Sequence, residues 1–84
     1  MLKALITTNQ IRAARALIRW TALDLAESSG IAISTIKRYE LMDGVPAGNV
    51  KTLVAIQQAL EDAGIEFIGN PDDGPGVRLR SSKR

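Results

Sequence analysis

The stretch Thr21-Ala22-Leu23-Asp24-Leu25-Ala26-Glu27-Ser28-Ser29-Gly30-Ile31-Ala32-Ile33-Ser34-Thr35-Ile36-Lys37-Arg38-Tyr39-Glu40 decides how the rest of the chain is read. Thr21 is a good N-cap, because its hydroxyl can accept from an orphan backbone N–H in the first helical turn. Leu23, Leu25 and Ala26 follow as a short amphipathic run that stops at Ser28-Ser29-Gly30. Gly30 suits the left-handed conformation that ends a helix. A second short helix is expected over 33–41, with Ile36 and Tyr39 facing inward. The linker is about three or four residues long, the length and glycine content of a helix-turn-helix. Ala26 is small where the two helices cross closely, and Ile31 and Ile36 pin the second helix to the core. Ser34, Thr35, Lys37 and Arg38 are left outside.

Upstream, Ile11, Ala14, Leu17 and Ile18 recur at helical spacing with Arg12, Arg15 and Arg19 between them, predicting a helix over 10–20. Downstream, Asp43-Gly44-Val45-Pro46 breaks the chain. Val50, Leu53, Val54, Ile56, Ala59 and Leu60 then mark the longest amphipathic helix, over 49–63, ended by Gly64. The segments 65–68 and 77–80 read as two strands around a turn-rich loop over 69–76. The expected fold is therefore mainly α: four helices in a helix-turn-helix domain over 1–64, a C-terminal β-hairpin over 65–80, and a basic tail over 81–84. An isolated hairpin is marginal in water, so this one packs on the helices or pairs with another chain.

Composition narrows the chemistry. The chain has 84 residues, 45% of them hydrophobic, which is room for one compact domain of marginal stability. It contains neither Cys nor His, which removes disulfides, thiolate nucleophiles, imidazole bases and the usual zinc sites. No apolar run approaches the roughly 20 residues of a membrane span, and the N-terminus lacks a signal-peptide pattern, so a cytoplasmic location is expected. The net charge of +2 is unevenly spread. Lys3, Arg12, Arg15, Arg19, Lys37 and Arg38 make the first half basic, Asp and Glu dominate 40–75, and Arg78, Arg80, Lys83 and Arg84 return positive charge at the end. Such polarity fits one face for a polyanion and another for a different contact; charges that only solvate helices would give the same pattern.

The quoted stretch resembles the helix-turn-helix of the Xre and phage-repressor (Cro/C1-type) family. The likeness spans about 11–63 and rests on Leu25-Ala26, Gly30-Ile31, Ser34-Thr35-Ile36 and Tyr39-Glu40 in register. It implies a recognition helix over 33–41 lying in the DNA major groove. Ile33, Ser34 and Arg38 match base-reading positions: Arg38 for a bidentate contact to guanine, Ser34 for a hydrogen bond, Ile33 for a thymine methyl. Ala32 sits at the tip of that helix. Lys37 and Thr35 are placed for phosphate or a neighbouring base edge, and Thr21, Asn49 and Lys51 for phosphate. Two positions depart from the family pattern: Ala22 stands where a Gln is usual, and Ala32 where Ser or Thr caps the helix. The resemblance further implies a structural ion pair between Arg15 and Glu40, and a homodimer bound to an inverted-repeat operator.

Phe67, Ile68, Val77 and Leu79, with the fourth helix, are the expected dimerisation residues. Trp20, between the first two helices, reads as core. Arg12 and Arg19 read as solvated side chains, with a phosphate contact as the alternative. Asp72 and Asp73, between Pro and Gly, lack the regular spacing of a calcium loop, so no metal and no cofactor is expected. The expected function is transcriptional regulation, as a repressor, by operator binding rather than catalysis. The rival from another class is an antiactivator that keeps the scaffold but binds a protein.

Overall fold

The computed structural model describes residues 5–80. The order of elements is α1 (Thr8–Ile18), α2 (Ala22–Ser29), α3 (Ile33–Glu40), α4 (Val50–Asp62), β1 (Ile65–Asn70) and β2 (Asp73–Leu79). Four helices and a two-stranded antiparallel sheet thus form one mixed α/β domain. The tail over 81–84 lies outside the described residues.

Helix α1 starts and ends two residues earlier than its apolar spacing predicts, and caps explain both shifts. Thr7 and Gln10 form a reciprocal box: the Thr7 hydroxyl accepts from the Gln10 N–H at 3.1 Å, and the Thr7 N–H donates to Gln10 Oε1 at 2.9 Å. At the other end Arg19 takes the left-handed conformation, with φ 59° and ψ 36°, and its N–H folds back on α1. Helix α2 begins at the Thr21 cap and ends at Gly30, whose φ of 77° is the conformation expected of that glycine. Helix α3 follows after residues 30–32 with Ala32 in the cap position, where it supplies no side-chain hydrogen bond. Helix α4 is capped by Asn49.

One core lies between these elements. Ile6, Ile11, Leu25, Ile36, Ile56 and Leu60 are almost wholly removed from water, with Ala14, Ala26, Tyr39, Leu53, Ala59 and Ile65 around them. Trp20 and Ile31 are half-buried against this cluster, as their placement in the sequence suggests. Thr8 ties α1 to the last turn of α3 and to the segment after it: its hydroxyl donates to the Tyr39 carbonyl at 3.0 Å and its N–H to the Gly44 carbonyl at 2.8 Å.

The hairpin differs most from expectation. Its strands run through most of the stretch read as a loop, leaving only Pro71 and Asp72 between them. Ile65 faces Leu79, Phe67 faces Val77 and Asn70 faces Asp73, with an irregularity between Ile68 and Asn70. Gly69 sits in that bulge with φ 74°, and a Cβ there would collide with the Gly74 carbonyl. The glycines that suggest a loop are here what lets two strands stay paired around a bulge. The hairpin is held to its own helices. Phe67 and Val77 pack on the core, and the buried Gln10 donates its side-chain amide to the carbonyls of Gly76 at 2.9 Å and Ile68 at 3.2 Å.

Candidate nucleic-acid interface

Helix α3 is anchored along one side and open along the other. Ile36 and Tyr39 are buried, while Ser34, Lys37 and Arg38 are exposed. Residues three and four apart share a helix face, so Ser34, Lys37 and Arg38 present a hydroxyl and two cations together. Thr35 is half-buried beside them. Ile33 is divided: it packs partly against the core, which leaves only part of its side chain for the methyl contact expected of it. Ala32 is exposed at the tip. The Arg38 guanidinium carbon lies 5.8 Å from the centre of the Tyr39 ring, a cation–π approach that orients the side chain from its buried neighbour.

The clamp between Arg15 and Glu40 fixes where this face points. Arg15 Nε and Nη2 donate to the two carboxylate oxygens of Glu40, both at 2.7 Å, and Arg15 Nη1 donates to the Trp20 carbonyl at 2.8 Å. One guanidinium thereby joins α1, the α1–α2 junction and the end of α3. Its side chain and that of Glu40 are 21% and 12% exposed, so the pair is shielded rather than solvated. The hydrogen bond to Glu40 raises the Arg15 pKa above its ordinary value, outweighing the opposing effect of burial. Neither group has a free fork to offer a ligand.

The remaining residues expected at a polyanion differ in availability. Thr21 is exposed, but its backbone N–H already donates to Asp24 Oδ2 at 2.8 Å, and its hydroxyl accepts from the Asp24 N–H at 3.1 Å. The start of α2 therefore carries a carboxylate of its own. The Thr-x-x-Asp spacing at 21–24 is a capping-box pattern that could have announced this. Asn49 uses its Oδ1 to accept from the Lys51 N–H at 2.8 Å, so its carbonyl oxygen serves α4, while the Lys51 side chain is exposed.

Of the hairpin residues, Phe67 and Val77 turn toward their own chain, whereas Ile68 and Leu79 are 39% and 47% exposed. The outer side of the hairpin holds an ionic cluster absent from the sequence reading: Arg78 and Arg80 both donate to Glu66 Oε1 at 2.8 Å. The hydrogen bond from Arg78 is the largest cause of a Glu66 pKa lowered below the ordinary carboxylate range. Glu66 and Arg78 occupy facing positions of the two strands, and the alternation of charged with apolar residues in both is the signal that could have announced this pairing.

Among the described residues no group of three acidic, His or Cys side chains is placed to hold a metal, and no helix is long and apolar enough to cross a membrane. No protein-family model and no curated protein matches the chain.

Proposed function

We propose that this protein is a transcriptional regulator of the Xre-like helix-turn-helix type, most simply a repressor, that binds duplex DNA through α3. One observation carries the reading. A short helix, joined to its predecessor by three residues, is held from inside by Ile36, Tyr39 and the Glu40 clamp while it presents Ser34, Lys37 and Arg38 outward. This division of labour suits a helix that enters a major groove, where side chains contact base edges and must be held rigidly. Arg38 would read guanine by a bidentate contact and Ser34 an adjacent base, with Lys37 and Lys51 on phosphate. The proposed complex is a homodimer on an inverted repeat, its two copies meeting through exposed apolar residues such as Ile68, Leu79, Val50 and Val54. The proposed place of action is the cytoplasm, on the nucleoid.

Selection of bound fragments from a genomic library by the purified protein tests this. An inverted repeat recovered by the wild type and lost by Arg38→Ala supports reading through α3, with about 1–3 kcal/mol of base discrimination removed. No enrichment, and the same behaviour in wild type and variant, overturns it. A protein-binding role is the second reading, favoured by Leu41, which ends α3 with 87% of its surface exposed. On that reading affinity for duplex DNA would lack the steep salt dependence that phosphate neutralisation brings.

A further inference from the structure

Among the described residues, every position with positive φ is a glycine except one, Arg19. It ends α1 with φ 59° and ψ 36°, a conformation that crowds the Cβ of an L-residue and that glycine adopts freely. The fold needs that backbone turn. The Arg19 N–H donates to the Ala16 carbonyl at 3.2 Å and the Trp20 N–H to the Arg15 carbonyl at 2.9 Å, closing the helix end. Glycine would supply both bonds without the crowding. Nothing within the described residues gives the arginine side chain a reason to be there: it is exposed, and no hydrogen bond or ion pair holds its guanidinium. A strained residue without an internal partner points outward.

Its location says toward what. Arg19 adjoins Trp20, whose carbonyl is held by the same Arg15 guanidinium that grips Glu40 at the end of α3. The backbone beside Arg19 is thus coupled to α3 through one side chain, so the turn from which Arg19 projects is tied to the helix that bears Ser34 and Arg38. Helix α2, which starts next, contributes a carboxylate at its first turn rather than a cation. We infer that Arg19 is a DNA-backbone contact: its guanidinium pairs with a phosphate flanking the groove that α3 enters and sets the register of that helix on the duplex. The inference rests on the DNA-binding reading above.

Stability and binding should then move in opposite directions, which a merely solvated arginine would not produce. The experiment compares wild type, Arg19→Gly and Arg19→Lys by thermal melting and by titration of a fluorescent duplex of about 30 base pairs from 50 to 200 mM salt. Arg19→Gly is expected to melt about 2–6 °C higher. It should also bind more weakly, with a salt slope shallower by about 0.9 per bound copy, so that the advantage of the wild type shrinks about 3.5-fold across that range. Arg19→Lys should keep the wild-type slope. A glycine variant that melts higher but binds with unchanged affinity and slope overturns the phosphate contact and leaves the DNA reading standing. A glycine variant that melts lower shows that the side chain serves the fold, which also overturns it. If the wild type itself shows no salt-dependent binding while remaining folded, both readings fail together.

Discussion

Helices α2 and α3 are both 8 residues long and follow one another directly, yet their starts are built in opposite ways. Helix α2 is finished by its own residues, with Thr21 and Asp24 exchanging hydrogen bonds and an acid in the first turn. Helix α3 begins at Ala32 with no side-chain cap and no acid, and carries Lys37 and Arg38 in its last turn. A helix of two turns is not stable in isolation, so α3 must be held by what it buries. Its inward side supplies the stability, and its start and outer side are left with donors and cations that the fold does not use.

The sharpest way to break this comparison is to weaken the inward hold. Ile36 is wholly buried, so Ile36→Ala should cost about 2–5 kcal/mol in urea denaturation, whereas Arg38→Ala should stay within about 0.5 kcal/mol of wild type. Equal losses from the two would mean that α3 is supported from its outer side as well. The caps come next in size. Thr21→Ala should lose about 0.5–2 kcal/mol, and Ala32→Ser should gain a similar amount, both read as shifts of the denaturation midpoint. A gain from Ala32→Ser accompanied by weaker DNA binding would show that the uncapped start is used by the ligand.

The smallest effect belongs to the exposed hairpin cluster, which serves as a contrast to the shielded Arg15–Glu40 pair. Because its arginine partners lower the folded-state pKa of Glu66, the carboxylate stabilises the fold at pH values above its unfolded-state pKa, and this contribution disappears as pH falls through the lowered folded value. Glu66→Gln should therefore melt slightly below wild type at pH 7 in low salt. The gap should close on acidification and on adding salt. A gap that persists in acid would assign Glu66 a role other than its charge.

The two halves of the molecule were unequally legible. Helices α2 and α3 are legible to within a residue: the threonine cap, apolar spacing and left-handed glycine bound α2, and that same glycine with the apolar spacing of Ile36 and Tyr39 places α3 despite its missing cap. The hairpin was recognised, but its length was not, since Gly69, Gly74, Pro75 and Gly76 favour turns by composition and only the bulge at Gly69 shows why they lie in strands. Periodicity counts apolar residues and so places the start of α1 too late, because the cap at Thr7 and Gln10 is polar. Phe67 and Val77 alternate as residues of a buried face should, but alternation does not say whose core buries them. Arg15, Glu40 and the open side of α3 are legible through the register of 21–40 with the helix-turn-helix pattern it resembles, whereas the left-handed Arg19 gives no signal in the sequence, since arginine is otherwise an ordinary helix former.

Gln10 gives the hairpin and α1 a common fate. Its carbonyl oxygen closes the first turn of α1 and its amide nitrogen holds two hairpin carbonyls, so neither attachment can be lost by rotating this side chain without disturbing the other. The C-terminal strands and the beginning of the first helix, some 60 residues apart in the chain, should therefore open as a single cooperative unit. Native-state hydrogen exchange would show this as matched opening energies for amides of the hairpin and the first turn of α1, and Gln10→Leu would let the hairpin exchange alone and faster.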